Sequence, residues 1–501
     1  MRRIVLVLAC LLSVRLAAAA ADAPAASTAN AAPLTLDQAI REALARNYAI
    51  KVQSYGVPIA RAGVTEAFGK FDVTLNGSYQ HGRTNTPYLA DPFSGVRPPA
   101  DLAASDSSSL SLSGLSPWGL SYQIGGYVNK VDDPALSPAL AITSYAGIQV
   151  TQPLLQGFGT GSALYQLRVA KTNRAISEWD FRRAVIDTVT QVIDAYSDVL
   201  FARAYLRSAQ HLLSAAEQLV DENKKRFAVG AMSQFDVLSA TAQVADRRQG
   251  VIAAQAGLRQ TENSLKALVS DVRDPSLLAH SLSLAPFPDQ SEPAIEPVRD
   301  FHTALTLRPD YQSALLSLKR GEYDQRYYRN QLLPQVDLVA SAGVNGIGRN
   351  WASSEADLRS HDFPSSSVGV TVSIPLASAA ERGRYRAARL RREQARAYLD
   401  KLEQDIVVAI GSAAIQVQSA RQRVATTQRA RELNEKMLDA EVKRLRAGTG
   451  STFAVLYQQQ QLGYAEVNEA QAEADYQKSI AEYDRQTGRT LEVHHIDLVM
   501  P

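Results

Sequence analysis

Residues 225–238 read KRFAVGAMSQFDVL, and residues 443–456 read KRLRAGTGSTFAVL. Seven of the fourteen aligned pairs are identical, and the two copies lie about 220 residues apart. Self-similarity at a fixed spacing is the sequence signature of a repeated architecture, so it decides the fold before any single helix or strand does. The sequence therefore predicts a chain that contains the same structural unit twice.

The segments around the two copies follow in the same order in both halves. VTQPL at 150–154 matches VSIPL at 372–376, and a predicted helix at 36–69 matches one at 299–332. Between the halves, five prolines in 271–298 interrupt any helix and give that segment the composition of a linker. Each half is predicted to run helix, strands, very long helix, turn and shorter helix.

These patterns divide the chain into predicted segments. The first repeat covers 24–270 and the second 299–486, and a C-terminal tail follows at 487–501. Proline-free, alanine- and leucine-rich stretches predict helices of about 65 residues, or ~100 Å at 1.5 Å per residue, too long for a compact globule. The predicted elements are strands within 70–152, a long helix at 162–228 and a helix at 235–270 in the first repeat, and strands within 335–374, a long helix at 377–446 and a helix at 453–486 in the second.

The repeated turns connect each long helix to a returning helix. Gly230 and Gly448 stand where the long helices are predicted to end, and glycine adopts the left-handed backbone of a helix C-terminus without a steric penalty. Ser233 and Ser451 follow as predicted N-caps of the returning helices. Both turns are therefore expected at the same end of an elongated helical body.

Other segments alternate apolar and polar residues, as half-buried strands do. The alternation is clear at 71–80, 336–344 and 368–374, and an additional hairpin near 107–128 has no counterpart in the second half. Whether that hairpin joins the same sheet is left open by the sequence. Loops at 83–105 and 345–365 are predicted to connect strands. Four to six strands cannot close a hollow barrel alone, so oligomerisation is expected to complete the wall.

The N-terminus reads as an export signal. Arg2 and Arg3 precede the apolar run 4–14, and a small-residue cleavage site at 21–23 follows, which predicts a signal peptide at 1–23. Cys10 is the only cysteine, and LAC at 8–10 resembles a lipoprotein cleavage box, so lipidation of Cys10 is an alternative. If Cys10 is removed with the signal, the exported chain has no disulfide, cysteine nucleophile or thiolate metal site.

Composition and motifs exclude several functional classes. A formal charge of +2 over 501 residues argues against an electrostatic binder of nucleic acid. No nucleophile elbow or phosphate-binding glycine loop occurs, so no catalytic residue and no cofactor site is predicted. The adjacent His494 and His495 lack the further ligands that a metal site requires, and no metal is expected.

The doubled pattern Gly-x-x-Ser-x-Phe-x-Val-Leu, the Pro-Leu pairs at 153–154 and 375–376, and LRPD at 307–310 resemble the TolC-like outer-membrane efflux family over essentially the whole mature chain. The resemblance implies an α+β membrane protein. Its trimer would share a transmembrane β-barrel of twelve strands, four per protomer. A long α-helical barrel would continue this wall through the periplasm.

The resemblance also implies a passive channel without enzymatic activity, embedded in outer-membrane lipid. Such a homotrimer docks a periplasmic adaptor protein and an inner-membrane efflux pump or ABC transporter, as part of a tripartite efflux or type I secretion system. It passes drugs, toxins or proteins outward. The sequence names neither the substrate nor the particular pump and adaptor.

Family members close the periplasmic end with polar and acidic side chains near the helix turns. Asp236 matches such an acidic position in the first turn, whereas Ala454 and Tyr457 stand where well-studied members carry aspartates. We therefore expect Tyr457 and helix packing to contribute to the gate. Pro153 and Pro375 are predicted to turn the chain from strand to helix at its re-entry into the periplasm.

Three rival interpretations remain at this point. A periplasmic adaptor also has long helical hairpins, but usually a single one, whereas this chain repeats it. A secreted enzyme on a helical scaffold would need a convergent polar site, and the sequence indicates none. A purely structural coiled-coil protein is disfavoured by the alternating segments.

Overall fold

The structure is a computed structural model that describes residues 33–500 except 88, 97–100, 133–139, 272, 274–279 and 288–293. The predicted signal peptide at 1–23 and Cys10 lie outside the described residues, as do residues 272, 274–279 and 288–293 of the predicted linker. The chain is mostly helical and contains one sheet.

Two very long helices dominate the molecule. Helix α5 has 64 residues and helix α10 has 68, so each is about 100 Å long. The helices are α1 Leu36–Arg46, α2 Tyr48–Ser54, α3 Gly56–Phe68, α4 Gly159–Ala163, α5 Tyr165–Ala228, α6 Gln234–Val269, α7 Pro297–Leu307, α8 Pro309–Asn330, α9 Trp351–Ser360, α10 Ala379–Arg446, α11 Thr452–Thr487 and α12 Thr490–Val493, with one 3-10 turn at Gly69–Phe71.

Each long helix buries one apolar stripe under shorter helices. In α5 the stripe includes Val185, Val189 and Val192, which recur at three- and four-residue steps and pack against α1 to α3 and the end of α6. In α10, Ile406 and Ile410 pack beneath α7 and α11 in the same manner. The shorter helices thus lie end to end along the long ones.

The prediction of a single helix at 36–69 is wrong, because the helix is interrupted at Asn47. The Asn47 side-chain oxygen accepts hydrogen bonds from the Ala49 and Ile50 amides and starts α2, and its Nδ2 donates to the Leu268 carbonyl at 3.2 Å. The prediction of a single helix at 299–332 is also wrong, because the segment contains the two helices α7 and α8. Arg308 precedes Pro309 and is extended, as steric contact with a following proline favours.

The six strands form one antiparallel sheet in the order β1-β2-β3-β4-β5-β6. The additional hairpin, which the sequence left open, provides β2 and β3 and stands between β1 and β4. The implied count of four strands per protomer is therefore corrected to six in this sheet. The strands are β1 Thr74–Thr86, β2 Asp101–Leu115, β3 Ser121–Asp132, β4 Leu140–Pro153, β5 Gln335–Gly348 and β6 Pro364–Ser373.

The segment at 345–365 is not the simple loop that its polar composition predicted. Asn350 caps α9 through a reciprocal capping box with Ser353, and the helix ends at Ser360. A local hydrogen-bonding pattern therefore orders a segment whose glycine and serine content suggests an irregular connection. The predicted tail at 487–501 likewise contains α12, and α7 begins inside the predicted linker at Pro297.

Candidate channel surfaces and tip turns

The sheet has one apolar face. Residues directly opposed in adjacent strands share a face, so the registers Leu75 with Leu112 and Leu112 with Ile124 place these three side chains together. All of them are exposed in the single chain. The same face carries Leu75, Leu110, Leu112, Ile124, Ile148, Leu338, Val368, Val370 and Val372, all exposed.

The opposite face is polar, and hydrogen bonds between side chains cross its strand pairs. Ser78 and Ser109 have hydroxyls 2.8 Å apart, Ser107 donates to Asn129 at 2.8 Å, and the Ser341 and Ser367 hydroxyls are 2.8 Å apart. Alternation along each strand therefore separates an apolar from a polar surface over the part of the sheet nearest the helices. This is the pattern of a strand wall with lipid on one side and water on the other.

The apolar face changes character toward the strand ends farthest from the helices. There His81 Nδ1 lies 2.7 Å from Asp106 Oδ1, and Lys130 lies 3.7 Å from the same carboxylate. Helix α9 also covers this end, where the Ser354 and Ser144 hydroxyls are 2.6 Å apart. Gly346 leaves room for this approach, because a Cβ there would lie 2.3 Å from the Ser354 carbonyl oxygen.

The corner between β4 and the helices depends on Asn330, the last residue of α8. Its side-chain oxygen accepts hydrogen bonds from the Gly157 amide at 2.7 Å and the Ser162 hydroxyl at 2.8 Å. Its Nδ2 donates to the Leu155 carbonyl at 3.1 Å. Sequence reasoning missed Asn330, because these partners are more than 160 residues distant along the chain.

The two re-entry prolines stand in different local structures. Pro153 is the last residue of β4 and lies opposite Asp337 of β5. Pro375 lies beyond the end of β6, where its carbonyl accepts a hydrogen bond from the Ser378 hydroxyl at 3.0 Å just before α10. Both prolines are therefore at the sheet-to-helix junction, one inside a strand and one in the connection.

The first tip turn joins α5 to α6. Gly230 has φ +75°, and the Ala231 amide donates to the Arg226 carbonyl at 2.9 Å, which closes the helix end. Ser233 caps α6 by accepting a hydrogen bond from the Asp236 amide at 3.2 Å. Its hydroxyl donates to the Asp236 carboxylate at 2.5 Å, so this predicted aperture residue also belongs to the cap.

The second tip turn joins α10 to α11. Gly448 has φ +76°, and Ser451 caps α11 by accepting a hydrogen bond from the Ala454 amide at 3.2 Å. Gly450 is required by space, since a Cβ there would lie 2.8 Å from the Leu445 backbone nitrogen. Tyr457, on the first turns of α11, is 51% exposed.

The two turns lie side by side at the same end of the helical body. Leu219, Leu445 and Val455 form a small buried cluster there, and Arg226 donates to the Leu445 carbonyl at 3.1 Å. The equivalent phenylalanines of the two turns remain uncovered: Phe235 is 77% exposed and Phe453 is 78% exposed. The tip therefore presents two aromatic side chains to its surroundings.

A buried polar cluster lies where α7, α11 and α12 meet. Tyr483 donates a hydrogen bond to the Asp300 carboxylate, and Arg489 lies 3.9 Å from that carboxylate. The pKa of Asp484 is raised to about 6, mainly by burial; the Arg489 charge lowers it, and the nearby Asp300 charge raises it. No sequence motif predicts this cluster, because its members belong to helices separated by about 180 residues.

Two kinds of feature are absent from the described ranges. No helix within them is long and apolar enough to cross a membrane. Among the same residues, no group of three or more histidine, cysteine, aspartate or glutamate side chains could hold a metal ion. His494 is partly buried, and this burial lowers its pKa.

Comparisons with known proteins agree with this arrangement. A sequence model described as "Outer membrane efflux protein" matches residues 39–270 and 301–489. The outer membrane efflux protein BepC of Brucella suis is 25% identical over 334 residues, which cover 66% of this chain and 69% of BepC.

Solved structures share the fold. The Campylobacter jejuni outer membrane channel CmeC superposes with a TM-score of 0.68 at 16% identity, covering 91% of this chain and 86% of CmeC. The Vibrio cholerae outer membrane protein VceC superposes with a TM-score of 0.65 at 16% identity, covering 90% of this chain and 96% of VceC.

The family match spans both halves of the chain, and its members are channel and transport proteins of the TolC-like kind. In such a protein the two-faced sheet belongs in the membrane, and the long helices belong in the periplasm. The chain lies in the outer membrane with its helices extending into the periplasm, and it belongs to the outer membrane efflux protein family.

Proposed function

We propose that three copies of this chain form a passive conduit that carries solutes from the periplasmic side to the cell exterior. The sheets of the three copies would close into one transmembrane barrel, and the long helices would form the tunnel below it. An inner-membrane efflux pump or ABC transporter would supply the cargo and the energy, and a periplasmic adaptor would join that transporter to the helical tip.

The observation that carries this proposal is the two-faced sheet at one end of helices about 100 Å long. An exposed apolar face on a sheet is unfavourable in water and favourable against lipid. The polar face, with its serine, asparagine and glutamine side chains, then lines a water-filled interior. A single sheet has two open edges, so closure requires further copies.

The aperture of the conduit would lie at the two tip turns. They place Gly230, Ser233 and Asp236 beside Gly448, Ser451 and Tyr457 at the end farthest from the sheet. Asp236 contributes a carboxylate held by Ser233, and Tyr457 contributes an exposed ring. Movement of α6 and α11 at these turns would open and close the passage.

The exposed Phe235 and Phe453 support a docking role for the tip. Two aromatic rings on equivalent turns, each more than three-quarters exposed, are the kind of anchor that a partner protein covers. In the proposed trimer this arrangement would be repeated three times around the tunnel. The adaptor would bind there and would leave the Gly230 and Gly448 turns free to move.

The assembly can be tested on protein purified from outer membranes in detergent. Light scattering with correction for bound detergent should give three times the mass of the mature chain. A monomeric mass in several detergents, together with recovery of the protein in the soluble periplasmic fraction, would overturn the proposal. A Phe235→Ser and Phe453→Ser double variant should keep the trimeric mass and lose export activity in cells.

A further inference from the structure

We infer that the hairpin β2–β3 is part of the channel wall and that three copies of this chain close a barrel of eighteen strands. This inference rests on the proposed trimer and concerns the width of its outer pore. Six strands from each copy replace the four that the family resemblance implies. The partner that fits each edge of the sheet is a second copy of the same chain.

The pairing registers integrate the hairpin fully into the sheet. β2 pairs with β1 continuously from Asp101 to Ser113, and β3 pairs with β4 along its whole length from Ser121 to Asp132. Neither strand is a short addition at an edge, since the hairpin separates β1 from β4 over their full extent. A hairpin folded into the lumen or lying over the sheet would leave β1 and β4 in contact.

The hairpin also carries the same two-faced pattern as the other four strands. Leu110, Leu112 and Ile124 lie on the apolar face with the valines of β6, and all three are exposed in the single chain. On the other face, Ser111 accepts a hydrogen bond from Gln123 at 3.1 Å. A loop of the extracellular surface has no physical reason for this alternation, whereas a wall strand requires it.

The turn at the end of the hairpin reaches the junction between sheet and helices. Ser116 and Leu120 form the turn by a backbone hydrogen bond of 2.8 Å, and a Cβ at Gly119 would lie 3.0 Å from the Gly157 carbonyl. Trp118 in this turn is 65% exposed. Tryptophan is enriched where a membrane wall meets water, so the hairpin extends across the same layer as β1 and β4.

The two edges of the sheet are complementary in direction. β1 leads away from the helices and β6 returns toward them, so β6 of one copy beside β1 of the next gives an antiparallel pair. These edge strands have 13 and 10 residues, and their outward backbone groups cannot remain unpaired in lipid. Three copies joined in this way continue one meander without a break.

The consequence is a wider outer pore. Barrel diameter grows roughly linearly with strand number, so eighteen strands give a diameter about 1.5 times that of a twelve-stranded wall. The open cross-section then rises about twofold. The barrel would admit bulkier solutes than a twelve-stranded wall does, and selection by size would move to the helical tip.

Strand counting by electron cryomicroscopy of the full chain in lipid nanodiscs tests the inference directly. Eighteen strands around a threefold axis are expected. A threefold ring with twelve strands and the hairpin outside the wall would overturn this inference and leave the proposed function intact. Absence of any ring, or particles without threefold symmetry, would instead contradict the trimer on which both depend.

A disulfide experiment gives a second, independent readout. Ser78→Cys with Ser109→Cys joins β1 to the hairpin, and Ser341→Cys with Ser367→Cys is the matched control in β5 and β6, with the same hydroxyl separation of 2.8 Å. Both pairs should oxidise to a similar extent within one chain in outer membranes. Oxidation of the control pair alone would show that β1 is not beside the hairpin.

Discussion

The side-chain oxygen of Asn330 accepts a hydrogen bond from the Gly157 amide at 2.7 Å and thereby joins the end of α8 to the chain that leaves β4. Gly157 has φ +84°, a left-handed conformation that favours glycine. The two residues belong to different halves of the chain. The contact therefore holds the sheet in a fixed relation to the helices.

Asn330→Ala should lower the free energy of unfolding by about 3 kcal/mol, because three hydrogen bonds are lost and each is worth roughly 1 kcal/mol net. Thermal unfolding of the purified protein measures the effect. Asn434→Ala is the matched control, since the Asn434 side chain donates a hydrogen bond to the Ala430 carbonyl within its own helix. Equal melting temperatures for the two variants would show that the corner does not depend on Asn330.

Gly450→Ala should disturb the second tip turn, because the added methyl group would meet the Leu445 backbone nitrogen at 2.8 Å. The backbone cannot move aside as the end of a flexible side chain can. We therefore expect the free energy of unfolding to fall by about 1–2 kcal/mol. Gly383→Ala near the start of α10 is the control, because nothing lies within 4 Å of its added Cβ. Protease sensitivity at the tip should increase only in Gly450→Ala.

Asp484→Asn should stabilise the protein above pH 6 and have little effect well below it. Burial raises the pKa of Asp484 to about 6, above its ordinary value of 3.8, so folding favours the protonated form. The contribution to stability is fully present below pH 3.8 and is lost as the pH rises through 6. At pH 8 the ionised group destabilises the fold on the order of 2 kcal/mol.

Melting temperatures of wild-type and Asp484→Asn protein at pH 3.5 and pH 8 check this sign. The difference between the two proteins should be large at pH 8 and small at pH 3.5, which lies below the ordinary pKa of 3.8. A larger difference at pH 3.5 would mean that the carboxylate, not the acid, is the favoured form of Asp484 in the folded protein.

Asp236→Ala should change single-channel conductance and reduce cation preference, because it removes a carboxylate from the proposed aperture. Ser233→Ala is the control for the cap, since it removes the side chain that holds the helix end but leaves the charge. Altered ion selectivity is expected in Asp236→Ala and not in Ser233→Ala. Unchanged conductance and drug susceptibility in Asp236→Ala would count against a role in gating.

Val370→Arg should prevent stable insertion into the outer membrane, whereas Thr371→Arg should be tolerated. Val370 is on the apolar face, and arginine facing lipid costs up to about 2–4 kcal/mol, with the highest cost at the middle of the bilayer. Thr371 is the next residue and is on the polar face, where a charge remains in water. Outer-membrane yields of the two variants measure the difference, and equal yields would contradict the assignment of the faces.

The positions of the long helices and of their connecting turns could be predicted from the repeated turn sequence. Gly230 and Gly448 have left-handed backbones, and Ser233 and Ser451 cap the next helices, as local sequence preference indicates. The longest helices were visible because no proline interrupts them. These features depend on neighbours in the sequence, which a pattern of residues records directly.

The helix interruptions that the sequence analysis missed are marked in the sequence, but only by single residues. Asn47 is a favourable N-cap inside an otherwise helical pattern, and Arg308 precedes a proline, and the prediction of one helix in each segment did not take these two residues into account. The capping box from Asn350 to Ser353 was likewise readable within a segment of polar composition.

The remaining features could not be read from local patterns. The place of β2 and β3 between β1 and β4 depends on strand pairing, which alternation alone does not specify. Asn330 and the cluster of Asp300, Tyr483 and Asp484 depend on contacts between helices and loops that are distant in sequence. No residue in these sites differs in kind from many solvated polar residues elsewhere in the chain.

Single-channel recording in a planar lipid bilayer, with the trimeric fraction of the purified full chain, tests the central claim most directly. A passive conduit predicts discrete conductance steps that need no added energy source, with fewer insertions when Val370→Arg protein replaces the wild type. A pure trimeric fraction that enters the bilayer and yet carries no current, at any applied voltage and with the tip turns loosened by Gly450→Ala, would contradict it.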